Sequence, residues 1–130
     1  MIARRLTANN VVKPDATVMS VIAAGQPVVL TNIPTGSEDI KVKLCPDGAR
    51  PDLILNTALD PGGSGSAQAV PRNSPALLCQ IGGAVAIGDV LKVSSGRLVK
   101  CAALEQGWFR ALQTGAANDM INVEPCDRTP

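Results

Sequence analysis

The feature that most constrains the fold of this chain is a glycine-punctuated stretch at residues 82–101, GGAVAIGDVLKVSSGRLVKC. Glycine adopts the left-handed backbone conformation that sharp turns need, so Gly88 followed by Asp89 predicts a turn at the start of a strand. Branched aliphatic residues on both sides of a second glycine, Gly96, predict two antiparallel strands joined by a tight hairpin.

The hairpin loop has either two residues, Ser95 and Gly96, or three, with Ser94 included. We favour three residues, because pairing Val93 with Arg97 gathers apolar side chains on one face of the hairpin. In that register one face carries Leu91, Val93, Val99 and Cys101, and the other carries Lys92 and Lys100 with Val90 and Leu98.

The same turn-and-strand pattern occurs twice more. In residues 115–123, GAANDMINV, Asn118 and Asp119 take the places of Gly88 and Asp89, and asparagine tolerates the left-handed conformation. A weaker copy at residues 23–30, AAGQPVVL, has Gly25 at the matching position. The uneven spacing excludes a solenoid or a propeller. The pattern predicts an all-β, mainly antiparallel fold, a small barrel-like or sandwich-like domain.

Length and composition limit the partners of such a domain. A chain of 130 residues forms one domain, and with 2% aromatic residues its core must be mainly aliphatic. We therefore expect neighbouring subunits or a docking surface to supply part of its stability. A net charge of +1 without a basic cluster argues against direct binding of nucleic acid. No apolar run approaches the ~20 residues of a membrane span, so no membrane partner is expected.

The sequence divides into an extended N-terminal arm (1–14), a β domain (15–125) and a C-terminal tail (126–130). Inside the domain, residues 46–75 contain five prolines and four glycines and are predicted to form a long surface loop, with a short strand possible only at residues 53–55. Residues 15–24 fit either a short helix capped by Asp15 or an extended strand. Residues 102–106 fit one helical turn.

The sequence contains no catalytic, cofactor-binding or metal-binding signature. The absence of histidine excludes catalytic triads and histidine–metal sites, and the glycine-rich residues 62–66 lack the ending of a phosphate loop. Four separated cysteines, Cys45, Cys79, Cys101 and Cys126, form no metal-binding pair. Their even number would allow two disulfides, but we predict free thiols, because the first three lie in apolar strand-like runs. We therefore expect a protein that is not an enzyme and needs no cofactor.

Residues 82–125 carry a resemblance to a known family. The stretch GGAVAIGDVLKVSSGRLVKC, a spacer and GWFRALQTGAANDMINVEP resemble the small head-decoration (capsid cement) proteins of tailed bacteriophages. In that family a Gly-Gly-Ala-x-Ala-x-Gly-Asp turn, a strand, a Gly-Arg hairpin and an Ala-rich turn with a final strand follow in this order. The matching residues are Gly82, Gly83, Ala84, Ala86, Gly88, Asp89, Gly96, Arg97, Ala116, Ala117, Ile121 and Val123. Residues 25–44 add a weaker match, whereas the long loop at 46–75 and Asn118 depart from the pattern.

The resemblance implies a β-rich structural protein that binds the outer surface of a phage capsid and stabilises the head by bridging capsid subunits. The partners it implies are the major capsid protein and further copies of the chain, often in a trimer. The chain would be synthesised in the host cytoplasm and end on the exterior of the virion. The alternative is a small β-barrel module that binds a peptide or a small ligand, for which the sequence nominates no converging polar groups.

The arm supplies the candidate capsid or subunit contacts. Met1, Ile2 and Leu6 would make apolar contacts, and Arg4 and Arg5 would donate charge-assisted hydrogen bonds to carboxylates. The same residues also fit a solvated terminus. The predicted structural turn residues are Gly25, Gly88, Asp89, Gly96, Asn118 and Asp119.

Overall fold

The computed structural model describes residues 10–32, 40–70 and 76–130, and within these ranges the chain is all β, as predicted. It forms two five-stranded units, one from each half of the sequence. The strands are β1 (Asn10–Pro14), β2 (Pro27–Asn32), β3 (Ile40–Leu44), β4 (Leu53–Leu55), β5 (Gly65–Ala69), β6 (Leu77–Gln80), β7 (Val90–Ser94), β8 (Arg97–Lys100), β9 (Gly107–Ala111) and β10 (Met120–Arg128).

The first unit is a closed barrel with the strand order β1-β3-β2-β4-β5. Strands β1 and β3 are parallel, and the other four pairings are antiparallel. Closure leaves no free strand edge in this barrel. Its interior is aliphatic and consists of Val12, Ile22, Val28, Ile40, Val42, Leu53, Leu55, Leu59 and Ala67.

The second unit is a five-stranded sheet with the order β6-β10-β9-β7-β8, in which all strand pairs are antiparallel. Its two outer strands approach each other, because the N–H of Gly82 donates to the carbonyl of Leu98 at 2.9 Å beside a parallel bridge between Ile81 and Leu98. The sheet therefore curls almost into a second barrel. Phe109 lies fully buried in its core.

Strand β4 joins the two cores. Leu53 and Leu55 point into the barrel, whereas Ile54 between them packs in the core of the second unit together with Cys45. All three residues of β4 are buried, as expected for a strand covered on both faces. Val29 of the neighbouring strand β2 also packs against the second core, so β2 and β4 form the wall shared by the two units.

The hairpin of β7 and β8 corrects the predicted register. Ser94 pairs with Arg97 and Val93 with Leu98, so the loop contains two residues rather than three. Ser95 and Gly96 have φ values of 50° and 75°, and two successive left-handed residues give the hairpin turn whose twist matches that of paired strands. Consequently Leu98 is fully buried in the core and Val99 is not, the reverse of the expected arrangement.

The predicted division of the chain also needs correction. Residues 10–14 of the predicted arm are β1, a barrel strand with Val12 fully buried. The predicted surface loop at residues 46–75 contains β4 and β5, which complete the barrel. Residues 126–128 of the predicted tail belong to β10. Pairing with distant strands, which local composition does not report, gives these segments their structure.

Two shorter segments differ from their helical alternatives. Residues 15–24 form neither a helix nor a strand: a turn at Asp15 is followed by a single bridge between Ile22 and Leu59. The Asp15 side chain accepts a hydrogen bond from the N–H of Thr17 at 2.7 Å. Residues 102–106 form a reverse turn instead of a helical one, in which the N–H of Glu105 donates to the carbonyl of Ala102 at 3.2 Å.

Truncating a leucine of β4 tests its place in the barrel core. Leu53 is 0% exposed, so Leu53→Ala should lower the free energy of unfolding by about 2–5 kcal/mol in urea denaturation. Leu78→Ala is the matched control, because Leu78 lies in a strand but is 51% exposed, and it should cost less than about 1 kcal/mol. Equal costs for the two variants would contradict the buried position of β4.

Candidate functional site

The predicted arm contacts lie outside the described residues. Met1, Ile2, Arg4, Arg5 and Leu6 belong to residues 1–9, and their role stays a prediction. The described chain begins at Asn10, which is buried and donates a hydrogen bond from Nδ2 to the carbonyl of Ala67 at 3.3 Å. Residues 1–9 are therefore followed directly by a strand that is part of the barrel.

The predicted turn residues Gly25, Gly88 and Asn118 occupy the third place of three turns with the same geometry. Their φ values are 83°, 89° and 73°, in the left-handed region. In each turn the N–H of the fourth residue donates to the carbonyl of the first, at 3.2 Å in the turn of Gly25 and 3.1 Å in the other two. The repeat found in the sequence is thus a repeat of backbone conformation.

A side chain braces each of these turns. The fourth residue, which is Gln26, Asp89 or Asp119, accepts a hydrogen bond from the N–H of the first residue at 2.8, 2.8 and 2.9 Å respectively. Carboxylates and amides at turns commonly bond nearby backbone N–H groups in this way. The two aspartates therefore hold the backbone that launches the next strand.

A fourth braced turn lies at residues 102–105 and was missed in the sequence. The Glu105 carboxylate accepts a hydrogen bond from the N–H of Ala102 at 2.6 Å, and Lys92 donates a further hydrogen bond to it. Leu104 occupies the left-handed third place with a φ of 68°. The sequence signal for this turn is the pair Ala102 and Ala103, which matches the alanine pairs at residues 23–24 and 116–117. Leucine in the third place made the match hard to recognise, because the other copies have glycine or asparagine there.

Gly25 and Gly96 join the two five-stranded units. The carbonyl of Gly25 accepts a hydrogen bond from the N–H of Gln80 at 3.0 Å, and that of Gly96 accepts one from Gln26 Nε2 at 3.0 Å. A Cβ added at Gly96 would lie 2.9 Å from a methyl carbon of Leu44. These glycines therefore serve both the turn and the close approach of the second unit to the barrel.

Two of the turns stand side by side at one end of the second unit. Val85 and Gly115 exchange backbone hydrogen bonds of 3.0 and 3.1 Å just before the turns of Gly88 and Asn118. The side chains at these tips are small or apolar, and Ile87 is 67% exposed. The turn at residues 102–105 precedes β9, which runs antiparallel to β7 and β10, so it lies at the opposite end of the sheet.

An open groove of about 480 Å³ lies against the barrel. It is lined by the connection between β1 and β2 and by the end of β3, including Met19, Val21, Leu44 and Lys43. Met19 is 84% exposed, and the side chains of Val21 and Leu44 are also partly accessible. The lining combines these apolar side chains with the polar residues Thr17, Ser20 and Gln26 and with the cation of Lys43, so the groove is amphipathic.

The described residues contain no cluster of three or more metal-ligating side chains of the Cys, Asp and Glu types. Burial raises the pKa of the Cys45 thiol to about 12, and it also raises the pKa of Cys79, so both thiols stay protonated at neutral pH. Across the same ranges, no helix has the length and apolarity needed to cross a bilayer. The features of this surface are turns and apolar patches.

Comparison with known proteins shows a likeness of fold to a solved structure. No protein-family model matches the chain, and no curated protein matches it in sequence. Among solved structures, the chain is similar to the N base of the head fibre protein gp8.5 of bacteriophage phi29, with a TM-score of 0.74 and 14% sequence identity. The match covers 94% of this chain and 96% of that one. The two chains share a fold. That fold is consistent with the resemblance to head proteins of tailed phages.

Gly88 tests the left-handed turn. A Cβ added there meets nothing within 4 Å, so the φ of +89° alone makes Gly88→Ala unfavourable, by about 1–2 kcal/mol of unfolding free energy. Gly83→Ala is the matched control, because its added Cβ also meets nothing within 4 Å and its φ is not in the left-handed region. Thermal and urea unfolding measure both variants. Equal stability of the two would contradict the turn geometry.

Acid should weaken the fold through the turn at Glu105. Its pKa lies below the ordinary 4.5, mainly because of the hydrogen bond with Lys92 and then because of the N–H of Ala102. The folded protein therefore binds fewer protons than the unfolded chain in acid, so this stabilisation is complete above pH 4.5 and is lost as the pH falls through the lower folded pKa.

The measurement is the urea midpoint as a function of pH. We expect it to fall below about pH 4.5 in the wild type and to fall less steeply in Glu105→Gln, which has no carboxylate to protonate. Asp15, whose pKa is lowered by its hydrogen bonds to Thr17, keeps part of the slope in both proteins. Identical slopes would show that Glu105 contributes nothing to the acid response.

Proposed function

We propose that this protein is a structural, non-enzymatic component of a tailed-phage head that binds the outer surface of the capsid and stabilises it by bridging capsid subunits. The observation that carries the proposal is the likeness of fold to the phi29 head fibre base over 94% of the chain. The head-decoration resemblance of residues 82–125 supports the same role from the sequence.

The physical character of the domain supports this role. Turns braced by hydrogen bonds between a side-chain oxygen and a backbone N–H precede four of its strands, and two largely aliphatic cores share the wall formed by β2 and β4. Without histidine, few groups change charge between about pH 5 and 8, so contacts with a capsid would persist across that range. A passive clamp requires such constancy more than it requires a reactive site.

The proposed partners are the major capsid protein and further copies of this chain in a trimer, with no direct contact to nucleic acid or membrane. Residues 1–9 are the proposed capsid-binding arm. Met1, Ile2 and Leu6 would bury apolar surface, and Arg4 and Arg5 would pair with capsid carboxylates. Many copies on a capsid lattice would add up the modest contacts of each arm.

Decoration of purified heads tests the proposal. The full chain is mixed with expanded heads of the phage whose genome encodes it, and bound protein is measured after sedimentation. We expect saturable binding at a fixed stoichiometry and a higher temperature of head disruption. Absence of co-sedimentation at micromolar concentrations would overturn the capsid-binding role.

A deletion separates the arm from the β domain. Removing residues 2–8 spares Asn10, which is buried in β1, so the melting temperature should stay unchanged while binding to heads weakens by at least about tenfold. Arg4→Ala combined with Arg5→Ala is the milder matched variant. If the shortened chain decorates heads as tightly as the full chain, the arm makes no capsid contact.

A further inference from the structure

Leu104 is exceptional among the turns of this protein. Six turns of the described residues have a left-handed residue in third place. In each of them the N–H of the fourth residue donates a hydrogen bond to the carbonyl of the first. Five of them hold a residue type suited to that conformation, and the sixth holds leucine. The six residues are Gly25, Gly48, Gly62, Gly88, Leu104 and Asn118.

Leu104 is unfavourable for the isolated chain in two respects. Its φ of 68° is strained for a residue with a Cβ, and its side chain is 85% exposed to water. Glycine or asparagine would remove both penalties, as the sister turns demonstrate. Strain retained at an exposed apolar residue points to a contact made with another molecule.

The surroundings of Leu104 make it a protruding knob. Ala102 and Ala103 are exposed beside it and are too small to shield it. Glu105 follows, hydrogen-bonded to Lys92 and with its side chain still 37% exposed. The tip of the turn thus presents one large apolar side chain, flanked by the Glu105 carboxylate in its ion pair with Lys92.

The groove on the barrel has the complementary properties. Its lining includes Met19, Val21 and Leu44, its volume of about 480 Å³ exceeds that of a leucine side chain, and Lys43 adds a positive charge to the same lining. Since Leu104 and Met19 are both largely exposed, the knob of a chain does not occupy its own groove.

We propose that Leu104 of one copy inserts into the groove at Met19, Val21 and Leu44 of a second copy, with Glu105 facing Lys43. This interface rests on the homo-oligomer of the proposed function and identifies its contact residues. The contact is head-to-tail, because the knob and the groove are different surfaces, and such contacts close into a ring when the rotation permits. Each copy thereby fills one groove and offers one knob.

The first experiment measures self-association of the full chain by sedimentation velocity and native mass spectrometry. Leu104→Asn removes the knob and suits the left-handed turn, so it should raise the melting temperature and weaken association by about tenfold or more. Ile87→Asn is the matched control, because Ile87 is 67% exposed at the tip of a sister turn, and it should associate like the wild type. A monomeric wild type at about 100 µM overturns the proposal.

The second experiment pairs two defective chains. Val21→Asp places a charge in the groove, and Met19→Asp serves the same purpose if the first variant does not fold. Either variant alone should be monomeric, as should Leu104→Asn. Mixed with the groove variant, Leu104→Asn should form one-to-one heterodimers, because its intact groove can bind Leu104 of the groove variant. The proposal is overturned if the mixture contains no more dimer than either variant forms alone at the same concentration.

Binding to heads separates this inference from the proposed function. A wild-type chain that decorates heads but never self-associates refutes the interface and leaves the capsid role standing. A chain that associates through Leu104 but does not bind heads refutes the capsid role alone. If Leu104→Asn loses head binding while its self-association is unchanged, Leu104 contacts the capsid and not a second copy.

Discussion

The structure depends on a turn in which the third residue is left-handed and a side chain in the fourth place bonds back to the first N–H. This turn starts β2, β7, β9 and β10, and its closing hydrogen bonds are 3.1–3.2 Å long. It stabilises strand starts locally, so a chain with a single Trp and a single Phe can build sheets without large aromatic anchors. One of these turns, that of Gly25, also receives a hydrogen bond from the second unit.

The two five-stranded units depend on each other. Units of about 60 residues bury only about 60% of the surface that their unfolded chains expose, and cores that are largely aliphatic bury less area per residue than aromatic ones. Here β2 and β4 serve both cores, with Leu53 and Leu55 inside the barrel and Ile54 in the sheet core. Two hydrogen bonds stabilise the same junction. The N–H of Gly48 donates to the carbonyl of Val93 at 2.9 Å, and Trp108 Nε1 donates to the carbonyl of Gly48 at 3.0 Å. We therefore interpret the chain as one cooperative domain built from two small units.

A shared fold at 14% identity describes architecture, and function resides in the surfaces placed upon it. Among the described residues, the surfaces that stand out are the groove beside β3, lined in part by Met19, Val21 and Leu44, and the turn tip at Leu104. Under the proposed function such surfaces would make modest contacts that add up over many copies.

The sequence alone determined the all-β class, the strands around residues 28–31, 40–44, 77–81 and 120–124, and the turns at Gly25, Gly88 and Asn118, because these follow from local residue preferences. The tertiary structure decided the rest. Residues 10–14 and 65–69 have no strong alternation and become strands because each completes the hydrogen bonding of the barrel. The hairpin register depended on whether Leu98 or Val99 is buried in the core of the second unit. The turn around Leu104 forms because Glu105 accepts hydrogen bonds from the N–H of Ala102 and from Lys92. Contacts between residues far apart in the chain set these outcomes, and a single sequence does not record which distant segments meet.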